Sequence, residues 1–234
     1  FGNDVVDAEV LGMKAGNQSK GHRFHAPGQI TINNPSEYEA KLREAYVMAS
    51  FAERGALIEK QVTAAGKKQG GDAIIDADLL DEVTALNAWP VTLAGSFDED
   101  FLRLPPEALV SSMKEHQKYF HVTKDGQLLP NFITIANIES TDPAQVISGN
   151  EKVIRPRLAD AAFFWDTDRK QPLESRFDKL KSVVWVNGLG TVADKAKRIG
   201  KLAGRLADEI GADKALTDRA AQLCKNDLVS NMVY

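Results

Sequence analysis

The amino-acid sequence predicts an α+β protein in which a mixed α/β region ends near residue 140 and only helices follow. Two observations predict this division. Apolar residues alternate in several short runs before residue 140, as in strands, and recur every three or four residues beyond it, as in helices. The 234 residues are 43% apolar and 26% charged, which is typical of a chain with a packed core and excludes disorder.

The first part of the chain combines short strands with a helical insertion. Loose alternation predicts strands over residues 4–10 and 29–32. Asn34 and the proline after it form a helix start, because asparagine caps free N–H groups and proline suits the first helical position. We expect one long or two consecutive helices over residues 35–67, and a shorter helix over residues 78–87.

The central part of the chain is predicted to form a strand, a short helix and a β-hairpin. The strand covers residues 89–93, and two prolines start a helix over residues 105–113. Alternating residues predict strands over 118–123 and 128–138, and the Lys-Asp-Gly turn at 124–126 joins them. This is the clearest hairpin in the sequence.

Beyond residue 140 the apolar period is helical. We expect Pro156 to interrupt or kink the first helix, because its ring clashes with the preceding turn. Residues 191–194 form a capping-box variant that starts another helix. The apolar residues expected to point inward from that helix are Val192, Ala196, Ile199, Leu202, Ala203 and Leu206.

These elements predict three parts. The first is a mixed α/β domain over residues 1–140 with a helical insertion at about 35–87. A helical connector over 141–187 and a helical segment over 188–234 follow it. The chain lacks an initial Met and ends inside an amphipathic pattern, so we expect it to be a piece of a longer protein.

Basic residues are concentrated in one region of an acidic chain. The formal net charge is −4, but residues 152–205 hold 13 Lys or Arg against 6 Asp or Glu, a local charge of +7 that leaves −11 elsewhere. The total argues against a general nucleic-acid binder, whereas the basic region would attract an RNA backbone. The alternative is that these side chains only solvate outer helix faces.

The motifs of common catalytic centres are missing from the sequence. It contains no phosphate-binding loop, no complete G-x-G-x-x-G, no G-x-S-x-G and no H-E-x-x-H. The single Cys224 has no partner in the chain, which fits a reducing compartment, and four His leave little material for a metal site. No apolar run has the length of a membrane span. We therefore expect no catalytic residue, no metal and no membrane contact, and a cytoplasmic location.

One candidate pocket lies at the start of the predicted hairpin. His116, Lys118 and Tyr119 combine an imidazole, a cation and an aromatic ring, the set that stacks on and hydrogen-bonds a nucleobase or an amino acid. The alternative is that this segment only starts a strand, with Tyr119 or Phe120 in the core.

A second candidate site surrounds Pro156. Arg155 and Arg157 lie on either side of this proline, and guanidinium groups in such fixed positions suit phosphate or carboxylate ligands. The alternative is a structural clamp in which either arginine pairs with Asp160 or Asp166.

Nine motifs in order along the chain resemble one family. They are GHRF at 21–24, HQKYF at 116–120, LPNF at 129–132, ANIES at 136–140, ISGNEKVIRPRLADA at 147–161, DTDRK at 166–170, GLGT at 188–191, KNDL at 225–228 and NMV at 231–233. Together they resemble the β subunit of the bacterial heterotetrameric glycyl-tRNA synthetase over essentially the whole chain. The block at 147–170 is the most specific, because it is long and not compositionally biased.

The resemblance implies an internal portion of a β subunit that takes part in ATP-dependent attachment of glycine to its tRNA. In that family the α subunit holds the adenylation site and uses ATP with Mg, and the β subunit grips tRNA. The implied partners are the α subunit, tRNA(Gly) and the remainder of the β chain. No cofactor is expected in this chain itself.

The resemblance also carries expectations about fold. Residues 1–140 resemble the tRNA-editing-like domain of the phenylalanyl synthetase β chain, and residues 188–234 resemble the start of a truncated HD-type domain. This sequence departs from a working HD phosphohydrolase, because Lys225-Asn226-Asp227 stands where a His-Asp pair would be sought and no His follows His121. We therefore expect no such activity.

Charge and motif position together select the candidate tRNA-binding residues, which are Lys152, Arg155, Arg157, Lys195 and Arg198. The competing hypothesis is a structural spacer and subunit interface without direct tRNA contact. A hydrolytic editing site on residues 116–120 is a third hypothesis, but no nucleophile or metal ligands accompany that segment.

Overall fold

Alternating apolar residues build a four-stranded antiparallel sheet in the first part of the chain. This computed structural model describes residue 2 and residues 4–233, and its α+β class confirms the prediction. The strands are β5 (Asp72–Ala73), β6 (Val91–Ser96), β7 (Phe120–Lys124) and β8 (Gln127–Ala136), in the order β5-β7-β8-β6.

The predicted hairpin is confirmed as β7–β8. Lys124 pairs with Gln127, and the two residues between them, Asp125 and Gly126, have φ values of 51° and 78°. A two-residue hairpin turn with both φ values positive matches the right-handed twist of its strands.

Helices lie before and between the strands of this sheet along the chain. They are α1 (Tyr38–Glu44), α2 (Phe51–Lys68), α3 (Ala77–Leu86) and α4 (Pro106–Ser111). The Asn34 side chain accepts a hydrogen bond from Ser36 N–H at 3.0 Å and opens a 3₁₀ turn (Pro35–Glu37) before α1. Of the two alternatives predicted for residues 35–67, one long helix or two consecutive helices, the second is confirmed by α1 and α2.

A single apolar cluster joins two of these helices to the sheet. Its fully buried members are Ile58, Val62, Leu79, Val83, Phe120, Val122 and Ile133. Each such side chain contributes about 1.5–3 kcal/mol through burial. Gly66 of α2 lies so close to β5 that a Cβ atom there would be 2.5 Å from the backbone N of Ala73.

Short strands precede the sheet. They are β1 (Glu9–Val10), β2 (Met13–Lys14), β3 (Gln18–Lys20) and β4 (Gln29–Thr31), which form two antiparallel pairs. The strand predicted at 29–32 is confirmed. The strand predicted at 4–10 is reduced to Glu9–Val10, because its apolar side chains are exposed and have no layer to pack on.

The long helix α5 (Pro143–Asp168) follows the sheet. It continues through Pro156, so the predicted interruption at this residue is wrong, while the alternative of a kink stays a prediction. Pro156 and Lys152 are both exposed. Water can therefore bind the Lys152 carbonyl, which loses its N–H partner to the proline.

The chain divides into two compact units, one up to Leu158 and one from Ala159. The three-part division at 140 and 187 stays a prediction. The second unit contains a 3₁₀ segment (Leu173–Ser182), β9 (Val184–Val186), β10 (Gly190–Thr191), α6 (Val192–Ile210), α7 (Lys214–Leu223) and a 3₁₀ turn (Asn226–Val229). No helix in the described part of the chain is both long and apolar enough to cross a membrane.

Strands β9 and β10 contradict the expectation that only helices follow residue 140. They form an antiparallel hairpin with an irregular register at Gly190. The sequence carried a signal for it, because a β-branched and aromatic run at 183–186 precedes Asn187-Gly188, a dipeptide typical of hairpin turns.

The capping box at the start of α6 is confirmed. Thr191 accepts a hydrogen bond from Asp194 N–H, and Asp194 accepts one from Thr191 N–H. The predicted inward face is wrong for Leu202 and Leu206, which are 61% and 49% exposed. Helix α6 packs on α7 along its small residues instead, where a Cβ atom on Gly200 would lie 3.5 Å from Ala221.

Candidate nucleic-acid interface

Two of the predicted cations lie beside the β9–β10 hairpin. Lys195 Nζ lies 3.0 Å from the centre of the Trp185 ring, a cation–π contact between α6 and β9. Arg198, one turn further along α6, donates a hydrogen bond from Nη1 to the Leu189 carbonyl at 3.0 Å. The start of α6 therefore presents both cations next to the hairpin.

The hairpin exposes apolar side chains on both of its faces. Val184, Trp185 and Val186 are 70%, 47% and 45% exposed, although successive strand residues point to opposite faces. Leu189 in the connecting loop is also exposed. Sequence reasoning missed Trp185, although an aromatic residue beside a hairpin turn in a basic segment was a signal for it.

The charge around this hairpin is strongly positive. Residues 183–205 contain five cations and one acid, a net charge of +4. The acid is Asp194, and hydrogen bonds from the backbone and side chain of Thr191 hold the pKa of its carboxyl below the ordinary value. This carboxylate serves the capping box, with Lys197 Nζ 3.8 Å away, and makes no ion pair with Lys195 or Arg198.

The other predicted cations lie on α5 in the first unit. Lys152, Arg155 and Arg157 are exposed, while Ile154 and Leu158 of the same helix are fully buried. Within residue 2 and residues 4–233, none of the three cations forms an ion pair or side-chain hydrogen bond. Neither Arg155 nor Arg157 therefore makes the alternative ion pair with Asp160 or Asp166. The five candidates fall into two groups, one in each unit.

The cluster at 116–119 does not converge on a pocket. Tyr119 is 3% exposed, and its ring stacks on Phe132 with centroids 4.5 Å apart. Its hydroxyl donates to Asn150 Oδ1 at 2.6 Å, and burial raises the pKa of Tyr119 to about 12. The Tyr119 ring therefore lies in the core, as the alternative prediction had it. It has no exposed face on which a base could stack.

The other two members of that cluster point elsewhere. Lys118 pairs with Glu82 of α3 at 2.9 Å. His116 is exposed on a π-helical turn (Ser112–Gln117). A binding role for these two side chains stays a prediction.

Comparison with known proteins decides the family. The sequence model of the glycyl-tRNA synthetase β subunit matches residues 1–234. The chain belongs to the glycyl-tRNA synthetase β subunit family. This confirms the resemblance that the motifs carry.

Curated members of the glycyl-tRNA synthetase β subunit family are similar to the whole chain. The glycine–tRNA ligase β subunits of Marinobacter nauticus and Stutzerimonas stutzeri are both 56% identical to it, over 236 and 234 residues, and that of Hahella chejuensis is 54% identical over 235 residues. Each alignment covers 100% of this chain and 34% of the relative. The chain thus spans about a third of the length of the curated relatives it matches.

Asn226 lies where the His-Asp pair of an HD-type phosphohydrolase would be sought, and its side chain is part of the packed interior. Asn226 is fully buried and donates from Nδ2 to the Leu173 carbonyl at 3.1 Å. Among the residues that the structure describes, no three His, Cys, Asp or Glu side chains are grouped so that they could hold a metal ion.

Proposed function

We propose that this chain is part of the β subunit of a glycine–tRNA ligase and supports tRNA binding and subunit assembly. Family membership over residues 1–234 supports the general role. The observation that carries RNA contact is the basic start of α6, where Lys195 and Arg198 flank an exposed aromatic hairpin.

The chemistry of the reaction belongs, in this proposal, to another subunit. The α subunit binds ATP with Mg and forms the adenylate, and this chain contributes no catalytic group. Its partners are the α subunit, tRNA(Gly) and the remainder of the β chain, and it acts in the cytoplasm. The mixed α/β part would correspond to a tRNA-editing-like domain and the helical part to the start of an HD-type domain.

Electrostatics gives the cations their role in this proposal. A Lys or Arg side chain that contacts an RNA phosphate releases a condensed counterion, so affinity falls as salt rises. Lys195 and Arg198 form one candidate contact group, and Lys152, Arg155 and Arg157 form another on α5. Lys152, Arg155, Arg157 and Arg198 are exposed and Lys195 is partly exposed. Cations without ion-pair partners are available for such contacts, because no carboxylate has to be displaced first.

A salt titration of tRNA binding tests this role. The complete ligase would be compared with two double variants, Lys195→Ala with Arg198→Ala and Arg155→Ala with Arg157→Ala. Each pair should weaken binding and reduce the slope of log K against log salt by up to about 2, since each phosphate contact contributes about 0.9.

A control variant removes the same charge elsewhere. Lys41 and Arg43 of α1 already pair with Glu37 and Glu53, so their double alanine variant should leave the slope unchanged. Equal slopes in all variants would contradict RNA contact through these residues.

The spacer hypothesis also has an observation in its favour. Leu202, Leu206 and Ile210 form an exposed apolar row on α6, which suits another protein surface. If all cation variants bind tRNA normally and Leu206→Asp releases the α subunit, the spacer role replaces the tRNA-binding role.

A further inference from the structure

We propose that the Trp185 ring stacks on an unpaired base of the tRNA, while Lys195 and Arg198 contact the phosphates next to that base. This inference rests on the proposed function, because it assumes that tRNA is the ligand of this surface. It adds a base-stacking residue to a surface otherwise defined only by charge.

The first step of the argument is the exposure of the ring. Strand β9 belongs to a two-stranded hairpin, so no further strand covers it within the described part of the second unit. Trp185 contacts Lys195 and is still 47% exposed. Exposed aromatic rings are the platforms on which proteins stack the bases of single-stranded nucleic acid.

The second step concerns the kind of partner. The net charge of +4 over residues 183–205 complements a phosphate backbone, whereas the cores of protein interfaces are depleted of charged residues. Lys195 Nζ covers one face of the ring, 3.0 Å from its centre, so a base would stack on the opposite face and the ammonium group would add positive charge beside it. The ligand that fits both features is a nucleotide.

The third step is that the nucleotide must be unpaired. Bases inside a duplex are stacked on both faces by their neighbours and offer no free face to a protein ring. Folded tRNA has unpaired nucleotides in its loops and at its 3′ end. Arg198 uses one N–H on Leu189, which fixes the guanidinium beside the hairpin and leaves other N–H donors for a phosphate.

The test compares Trp185 variants of the complete ligase in tRNA binding. Trp185→Leu should weaken binding about thirtyfold, the middle of the range for loss of one base–aromatic stack. The slope of log K against log salt should not change, because no charge is removed. Trp185→Phe should restore most of the affinity, since it keeps a ring.

Phe24 provides the matched control. It is an exposed aromatic residue in the first unit, and the Arg23 guanidinium carbon lies 4.7 Å from its ring centroid. Phe24→Leu therefore removes a similar ring beside a similar cation at a different place. Its affinity for tRNA should equal that of the unchanged ligase.

The outcomes separate this inference from the proposed function. If Trp185→Leu binds normally while the Lys195/Arg198 variant shows the expected smaller slope of log K against log salt, stacking is wrong and the tRNA-binding role remains. If both variants bind normally, this surface does not contact tRNA. If Trp185→Leu weakens binding only in proportion to lost α subunit or lost folded protein, the ring contacts protein and the inference is overturned.

Ultraviolet cross-linking gives a second measurement that does not depend on folding of a variant. Irradiation of the unchanged ligase with tRNA should attach an unpaired nucleotide to the peptide that contains Trp185. A cross-link map that covers other aromatic residues and lacks this peptide would contradict the inference.

Discussion

Arg176 and Asp168 form a buried ion pair, with Nη2 of the arginine 2.7 Å from Oδ1 of the carboxylate and side chains only 8% and 11% exposed. The Asp168 carboxylate also accepts hydrogen bonds from the backbone N–H groups of Asn231 and Met232 at 3.0 Å. One side chain therefore joins the end of α5 to the 3₁₀ segment after it and to residues more than sixty positions later.

Loss of this carboxylate should destabilise the second unit. Asp168→Asn leaves the Arg176 guanidinium buried without its opposite charge, which costs about 3 kcal/mol of unfolding free energy. Urea unfolding followed by circular dichroism measures the change. Asp178→Asn is the control, because Asp178 pairs with Lys181 on the surface, where water screens the pair, and its loss should cost much less. Similar values for the two variants would contradict this role of Asp168.

The same carboxylate should make stability depend on pH. Burial alone would raise the pKa of Asp168, but hydrogen bonds from Asn231, Met232 and Arg176 together hold it below the ordinary value. The folded state thus favours the charged form. Its contribution is complete above the ordinary pKa near 4 and is lost as pH falls through the lowered value. The stability gap between the unchanged chain and Asp168→Asn should shrink with acidification. A constant gap from pH 6 to pH 2.5 would refute this.

Tyr119 should act as a buried hydrogen-bond donor in the core. Tyr119→Phe keeps the stack on Phe132 but leaves Asn150 Oδ1 without its donor, at a cost of about 1 kcal/mol. Tyr38→Phe is the matched control on an exposed tyrosine and should be neutral. Thermal unfolding measures both. If Tyr119→Phe weakened tRNA binding without any loss of stability, the core assignment would be wrong.

Two helical glycines should respond in opposite directions to alanine. Gly66→Ala places a methyl group 2.5 Å from the Ala73 backbone and should cost about 1–3 kcal/mol, because helix and strand must separate. Gly149→Ala meets no atom within 4 Å on α5 and should stabilise by about 0.5–1 kcal/mol. Chemical denaturation distinguishes them, and equal effects would show that α2 and β5 are not in close contact.

The sequence was sufficient where local interactions determine the structure. The turn at Asp125-Gly126 and the capping box of Thr191 and Asp194 each depend on a few neighbouring residues, and both were predicted correctly. Charge and motif position also selected the candidate tRNA-binding cations, and their role stays a prediction.

Tertiary packing decided what the sequence left open. Leu202 and Leu206 have helical spacing, yet α6 meets α7 along glycine and alanine, and spacing alone does not reveal which face a partner covers. Tyr119 has the chemistry of a ligand-binding residue, but the long-range contact with Phe132 places it in the core. Trp185 is a candidate base-stacking residue because of its position in β9, where its ring contacts Lys195 of α6. The sequence does not reveal this contact.

The salt dependence of tRNA binding by the complete ligase tests the central claim most directly. The account predicts that Lys195→Ala with Arg198→Ala reduces the slope of log K against log salt by up to about 2, while Lys41→Ala with Arg43→Ala leaves it unchanged. Identical slopes for the two double variants would contradict the assignment of this surface to tRNA.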